Sequence, residues 1–101
     1  MNVEKIEQHI QMMATRFVPE HMREGLAMYV VEGVMPGGFL RAVLEGDLFG
    51  ALGRADEINM RLLHTYAIYL ANDVPAAIYG SPGAVQRWVD HNLELISEDQ
   101  A

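Results

Sequence analysis

Glycine and proline divide an otherwise helix-forming sequence into short pieces, and this division constrains the fold more than any other feature. Gly37 and Gly38 follow Pro36, and Gly46 and Gly53 interrupt the helix formers that come after them. Glycine disfavours a helix interior by about 1 kcal/mol relative to alanine. Breaks of this kind are expected where backbone comes close to something or where a site is built.

Apolar residues recur at spacings of three and four, and no segment alternates with the period of a strand. The sequence therefore predicts an all-α fold, a compact bundle of five to six short-to-medium helices joined by Gly/Pro-rich turns. A chain of 101 residues matches the size of one domain. We expect a single helical domain over 1–101, in three parts: an N-terminal helix over 1–17, a core over 18–96 and a frayed acidic tail over 97–101.

Helix boundaries follow from caps and breakers. Asp47, Asp56 and Ser81 stand at helix starts, where their side chains can accept a backbone hydrogen bond. We expect Gly53 to close the short helix that Asp47 opens, and Ile58 to face inward from one long helix over 56–73. The first helix has a heptad-like apolar pattern, which predicts packing on the protein's own core or, alternatively, a dimer seam: Val3, Ile6, Ile10, Met13 and Phe17.

Composition excludes several classes of protein. With 7 basic and 14 acidic residues the net charge is −7, which argues against a surface for duplex nucleic acid. There is no cysteine for a disulfide or a thiolate metal site, and no pair of histidines has metal-ligand spacing. The first residues lack the pattern of a signal peptide, and no apolar run reaches the roughly 20 residues of a membrane span. We expect a cytoplasmic protein without metal, cofactor or membrane partner. We also expect a homo-oligomer, because a chain of this size buries only a modest core and gains from self-association.

Polar residues concentrated in the turns form the candidate site. Arginine is preferred for fixed contacts to carboxylate and phosphate, and helix N-termini after Gly37 and before Pro82 offer free amides to an anion. Tyr79, in a loop, is placed to stack on a ring. Arg54 is interpreted as an ion-pair or capping partner of Asp56, or else as a ligand clamp fixed by Asp56 or Glu57. The predicted ligand-binding residues are His21, Arg23, Gly37, Gly38, Arg41, Asp47, Arg54, Asp56, Asn59, Tyr79 and Ser81.

Several of these pieces together resemble a family of short accessory proteins encoded by tailed phages and prophages. The resemblance covers residues 19–88 and includes PEHMREGL at 19–26, PGGFLRAVL at 36–44, GRAD at 53–56 and GSP at 80–82. Family members usually have asparagine where Gly46 stands, and an aromatic residue where Ala71 stands. The resemblance implies a phage protein that acts in the cytoplasm of a bacterial host, without implying a mechanism.

Three functional hypotheses follow. The first is a non-catalytic binder that sequesters a small anionic, nucleotide-like ligand as counter-defence. The second is an interaction module that inhibits or redirects a host protein through an acidic surface or a methionine-rich one, for example around Met12 and Met13. The third is a small enzyme that uses Asp47 and Asp56 as an acid/base pair. The sequence favours the binder slightly over the interaction module, and both over the enzyme.

Overall fold

The computed structural model describes the backbone of residues 1–100 and the side chains of residues 1–96, so the side chains of the predicted tail over 97–101 lie outside it. Within this part the chain is all-helical, which confirms the predicted fold class. The helix count is seven, with one 3-10 turn, and not five to six. The helices are α1 Val3–Thr15, α2 Glu20–Glu32, α3 Gly38–Glu45, α4 Leu48–Arg54, α5 Glu57–Arg61, α6 Leu63–Asp73 and α7 Pro82–Gln100, with the 3-10 turn at Ala76–Ile78.

The predicted long helix over 56–73 is divided at Leu62, and this accounts for the additional helix. Leu62 has φ −110° and ψ 19°, outside helical values. Its carbonyl accepts two bonds from Thr65, one from the backbone N at 2.9 Å and one from Oγ1 at 2.6 Å. These bonds span three residues and tighten the turn that separates α5 from α6.

Short polar side chains and glycines set the ends of the helices, as their positions in the sequence predict. Asp47 Oδ1 accepts a bond from the Gly50 amide at 2.9 Å at the start of α4, and Asp56 caps α5 in the same way. Gly33 and Gly46 follow α2 and α3 in the left-handed conformation, with φ of 67° and 77°. Glycine adopts this conformation without the steric cost of a Cβ atom.

Two packed groups of helices enclose the core. α1 packs against α2 and α6, while α3 packs against α4 and α7. Tyr29, Tyr66 and Tyr69 are fully buried at the centre, and each phenol has a hydrogen-bond partner. Burial raises the pKa of Tyr29 to about 12, because the phenolate would lose its hydration. Tyr29 and Tyr66 donate to the Ile78 carbonyl and to Asn59 Oδ1, and the Tyr69 hydroxyl shares a hydrogen bond with His9 Nδ1, so the neutral phenols tie separate elements together.

Some predicted core positions are exposed. Ile58 is 54% exposed, because the break at Leu62 rotates α5 away from the stripe that α6 buries. Phe17 is 75% exposed and has φ 66°, so the chain leaves the helical path before the end of the predicted seam. α4 continues through Gly53 to Arg54 and does not end at the glycine. No described helix combines the length and apolar character that a bilayer-spanning segment requires.

The left-handed turn at Gly33 predicts a large effect of a small substitution. A Cβ atom there would lie 2.8 Å from the Cβ of Asn92 on α7 and would also occupy left-handed backbone. We expect Gly33→Ala to lower the free energy of unfolding by about 1–2 kcal/mol, the usual cost of that backbone conformation. Urea unfolding measures the change.

The matched control is Gly53→Ala, because a Cβ atom at Gly53 meets nothing within 4 Å. This substitution lies inside α4, so we expect it to raise the free energy of unfolding by up to about 1 kcal/mol. A loss of similar size in both variants would contradict the role assigned to the Gly33 turn.

Candidate functional site

A cleft of about 330 Å³ lies between α4 and α6, with the end of α3 on one side and the turn before α7 on the other. Its walls are apolar side chains of the three helices, and its polar edge is formed by Asp47, Tyr79 and the backbone of two glycines. The full lining is Val43, Gly46, Asp47, Leu48, Ala51, Leu63, Ala67, Leu70, Tyr79 and Gly80.

Two glycines form the edge of the cleft. The Gly80 amide donates a bond of 2.7 Å to the Leu44 carbonyl, which fixes the turn before α7 against the end of α3. A Cβ atom at Gly46 would lie 3.0 Å from the Gly80 carbonyl oxygen, closer than side-chain atoms usually approach. Gly46 is part of the cleft lining, whereas Ala71 is exposed on α6 outside it.

Asp47 and Tyr79 are the predicted site residues that the fold brings to this cleft. The Asp47 carboxylate is held over α4, so that a Cβ atom at Gly50 would lie 2.1 Å from Oδ2. Its Oδ1 accepts from the Gly50 amide, and Asp47 is part of the cleft lining. Tyr79 is half-buried against the core and presents its ring to the cleft. This arrangement can hold a flat apolar group beside one hydrogen-bond acceptor.

A second group of predicted residues forms a hydrogen-bonded chain at the starts of α2 and α5. His21 Nε2 donates to Asp56 Oδ2 at 2.9 Å, and Asp56 Oδ1 accepts from the Asn59 amide at 2.7 Å. Asn59 is buried, and its Oδ1 accepts from the Tyr66 hydroxyl at 2.5 Å. The chain of bonds runs from the surface to the core and fixes α5 in place.

The same contacts determine the ionisation of Asp56. The hydrogen bond from the Asn59 amide, and then the one from His21, hold the pKa of the Asp56 carboxyl below its ordinary value. Bonds donated to the carboxylate favour its charged form. The exposed position of the side chain allows water to weaken this effect, so Asp56 is a cap and a surface partner of His21, without the raised pKa of a general acid.

Arg54 lies at the end of α4 and crosses the start of α3. A Cβ atom at Gly38 would lie 3.0 Å from Cδ and 3.2 Å from Nε of Arg54, so glycine is what permits this approach. Arg54 Nη1 makes one long bond of 3.3 Å to the Gly50 carbonyl. Among the described residues no carboxylate pairs with Arg54.

The predicted ion pair between Arg54 and Asp56 is therefore wrong. Asp56 pairs with His21, and Glu57 pairs with Arg61 at 2.7 Å, one turn along α5. Neither carboxylate fixes Arg54, because α5 begins with Asp56 turned towards α2. That Arg54 clamps a ligand remains a prediction. No acidic residue positions the arginine, which lies against Gly38 instead.

The other predicted residues lie apart from these groups and serve local structure. Arg23 Nε donates to the Val18 carbonyl at 2.8 Å, and Arg41 Nε pairs with Glu45 at 3.0 Å. Ser81 Oγ accepts from the Ala84 amide at 3.1 Å, as the helix-cap interpretation predicts.

Three groupings result. Asp47 and Tyr79 share the cleft, and His21, Asp56 and Asn59 share the hydrogen-bonded chain. Gly37, Gly38 and Arg54 meet at the start of α3, while Arg23, Arg41 and Ser81 join none of the three.

Asp47 and Asp56 precede and follow α4, so the fold does not bring them together as an acid/base pair. The described side chains also include no cluster of three or more histidine and acidic residues that could hold a metal ion.

Sequence reasoning missed the apolar walls of the cleft. Leu63 and Ala67 come from α6 and Leu48 from α4, and only packing makes them neighbours. Sequence reasoning could have found Gly80, because a glycine directly before the Ser81 cap suggests a turn. The structure gives it φ 103°, a conformation that glycine adopts readily.

No family model matches the chain, and neither the curated proteins nor the solved structures contain a significant match. The geometry of the three groups is therefore the basis for assigning a function. The group of His21, Asp56 and Asn59 also predicts how stability changes with pH.

We expect the contribution of Asp56 to stability to depend on pH. Its pKa in the folded protein lies below the unfolded value of about 3.8. The contribution is therefore present above that value and is lost as pH falls through the folded pKa. Asp56→Asn retains a good N-cap but does not titrate. Urea unfolding at pH 6 and pH 3 measures whether the wild-type advantage shrinks in acid. An advantage that is unchanged or larger at pH 3 would contradict the assigned contacts.

Proposed function

We propose that this chain is a non-catalytic protein that binds a small anionic, nucleotide-like ligand. The ring of the ligand occupies the cleft, and its anionic group lies at the start of α3 beside Arg54. The observation that carries the proposal is the Arg54 guanidinium, which lies against Gly38 with no carboxylate partner among the described residues.

The start of α3 is suited to bind the anionic end of the ligand. The first amides of a helix have no acceptor within the helix, and the helix dipole makes this end positive. α3 has eight residues, and its N-cap, Gly37, provides no side-chain hydrogen bond to these amides. Gly37 is exposed, and a Cβ atom there would meet nothing within 4 Å, so a ligand can approach the backbone. Arg54 adds a planar fork of donors suited to phosphate or carboxylate.

The cleft is suited to hold the ring of the ligand. Its volume of about 330 Å³ falls within the range of small-molecule pockets, which is roughly 300–1,000 Å³. The Tyr79 ring offers a stacking surface, and the Asp47 carboxylate offers an acceptor to an N–H group of a base. Ala51 lines the cleft, and Arg54 follows three residues later, about 4.5 Å along the axis of α4. On α3 the cleft is lined by Val43, with Gly46 just after the helix end, so a ligand that also reaches Arg54 extends along α3 towards its start.

Two further considerations favour a binder. The candidate acid/base residues are at opposite ends of α4, which weakens the case for an enzyme. The resemblance to phage accessory proteins supplies a biological reason, since a phage gains if a signalling nucleotide of its host is sequestered in the cytoplasm. The interaction-module alternative loses part of its basis, because Met13 is fully buried and cannot form a contact face with Met12.

Native mass spectrometry of the full chain purified from bacterial lysate identifies a retained ligand directly. We expect an added mass of a few hundred daltons that is released by denaturation and contains phosphorus. A ligand-free spectrum, together with no thermal stabilisation by mononucleotides, cyclic nucleotides or inorganic phosphate, would reject the proposal.

Arg54→Ala tests the anionic end of the site. Loss of a charge-assisted contact costs about 1.5–3 kcal/mol, so we expect roughly a tenfold to hundredfold weaker affinity in calorimetry with the ligand that mass spectrometry identifies. Arg61→Ala is the matched control, because Arg61 is an exposed arginine paired with Glu57 away from α3. Equal affinities for the two variants would show that Arg54 is not in the site.

Ala67→Leu tests the cleft. Ala67 lines it from α6 and is exposed, so a leucine there fills the space without disturbing the core. We expect binding of the ligand to fall at least tenfold while helical content, measured by circular dichroism, is unchanged. Ala71→Leu, one turn further along the same helix and outside the lining, should bind as the wild type does. Full binding by the Ala67 variant would place the ring elsewhere.

A further inference from the structure

Hydrogen-bond acceptors predominate along the polar edge of the cleft. The amides of Gly46 and Gly80 are already used, because they donate to the Val43 and Leu44 carbonyls at 3.1 Å and 2.7 Å. No backbone amide of the described residues donates to the Gly80 carbonyl, whose oxygen lies 3.0 Å from the place of a Cβ atom at Gly46. At these two glycines the backbone therefore offers a ligand an acceptor and no free N–H group.

Asp47 adds a carboxylate with unused capacity to this edge. Its Oδ1 accepts one bond, from the Gly50 amide at 2.9 Å, whereas an ionised carboxylate can accept about four. None of the ion pairs among the described residues involves Asp47. The residue is exposed and lines the cleft, so a ligand there can reach the carboxylate. A group that binds beside it must therefore supply N–H donors and carry no negative charge.

We infer that the ring of the ligand is guanine, whose Watson–Crick edge donates to the Asp47 carboxylate. The inference rests on the proposed function and specifies its ligand. Guanine has two adjacent donors on that edge, N1–H and the 2-amino group, which match the two oxygens of a carboxylate. Paired bonds of this kind combine charge assistance with a fixed geometry.

The other common bases present acceptors to the same carboxylate. Adenine and cytosine each have an unprotonated ring nitrogen beside the amino group, and uracil has a carbonyl oxygen on each side of its single N–H. Each of these acceptors would lie against a carboxylate oxygen without a proton between them. The Asp47 carboxylate therefore selects guanine by rejecting the alternatives as well as by binding it.

The same carboxylate sets the direction in which the ligand lies. It repels an anionic group from this end of the cleft, whereas Arg54, at the start of α3, pairs with no described carboxylate. α3 has eight residues and is about 12 Å long, and the cleft lies at its end. A guanosine diphosphate that extends along α3 can therefore place its ring beside Asp47 and its phosphates beside Arg54.

Calorimetry of the full chain with nucleoside 5′-diphosphates tests the choice of base. We expect guanosine diphosphate to bind at least about tenfold more tightly than the adenosine, cytidine and uridine diphosphates. Inosine diphosphate lacks only the 2-amino group and should bind about tenfold more weakly than guanosine diphosphate. Equal or tighter binding of any of these four would overturn the guanine assignment and leave the proposed function standing. No binding of any diphosphate would overturn the assignment and, together with a ligand-free mass spectrum, the proposed function as well.

Replacing one acceptor by a donor tests the contact with Asp47 itself. Xanthine has a carbonyl oxygen where guanine has the 2-amino group, so it repels a carboxylate but accepts a bond from the amide of asparagine. We expect Asp47→Asn to reverse the preference, so that xanthosine diphosphate binds more tightly than guanosine diphosphate. Asparagine is as good an N-cap as aspartate, so α4 should remain folded, and circular dichroism verifies this.

Asp90→Asn is the matched control for the loss of a negative charge. Asp90 is an exposed aspartate on α7 outside the cleft lining, so this variant should keep the wild-type preference for guanine. A folded Asp47→Asn variant that still prefers guanosine diphosphate would overturn the assigned contact. A reversed preference in the Asp90 variant would overturn it also, because the selection would then follow from net charge.

Discussion

The burial of Tyr29 organises the part of the fold on which the candidate site depends. Its hydroxyl donates to the Ile78 carbonyl at 2.6 Å, and its own carbonyl accepts from the Trp88 indole at 2.7 Å. One residue of α2 thus holds both the 3-10 turn and α7. Tyr79 directly follows Ile78, so the far edge of the cleft is positioned by this contact. Without a partner for the hydroxyl, burial of the phenol would be strongly unfavourable.

α4 connects the features to which we assign function. One side of this seven-residue helix forms a wall of the cleft through Leu48 and Ala51, and its last residue, Arg54, lies against the start of α3. A helix this short has little stability by itself and depends on its cap and its packing. Asp47 therefore has two roles, because its carboxylate caps α4 and the residue also lines the cleft.

Local sequence predicted what depends on neighbours along the chain. The all-α class follows from apolar spacing, and the caps at Asp47, Asp56 and Ser81 follow from side chains that reach amides three residues ahead. The same reasoning failed at Leu62, because Thr65 divides a segment whose apolar pattern is continuous. It failed also at Ile58, whose burial depended on the undivided helix. Of the candidate site, sequence supplied Asp47, Tyr79 and Arg54 but not the apolar walls.

By itself the sequence determined the all-α class, the helix caps and the glycine turns, since these depend on interactions within a few residues. Only the tertiary structure decided which polar groups meet. His21 and Asp56 are 35 residues apart in sequence, and their contact takes Asp56 away from Arg54, its close neighbour along the chain. Tertiary contacts also explain why positions 38 and 46 are glycines. Arg54 approaches Gly38, and the Gly80 carbonyl approaches Gly46. Such contacts depend on how helices pack, and helix packing is set by the whole core, not by any single segment.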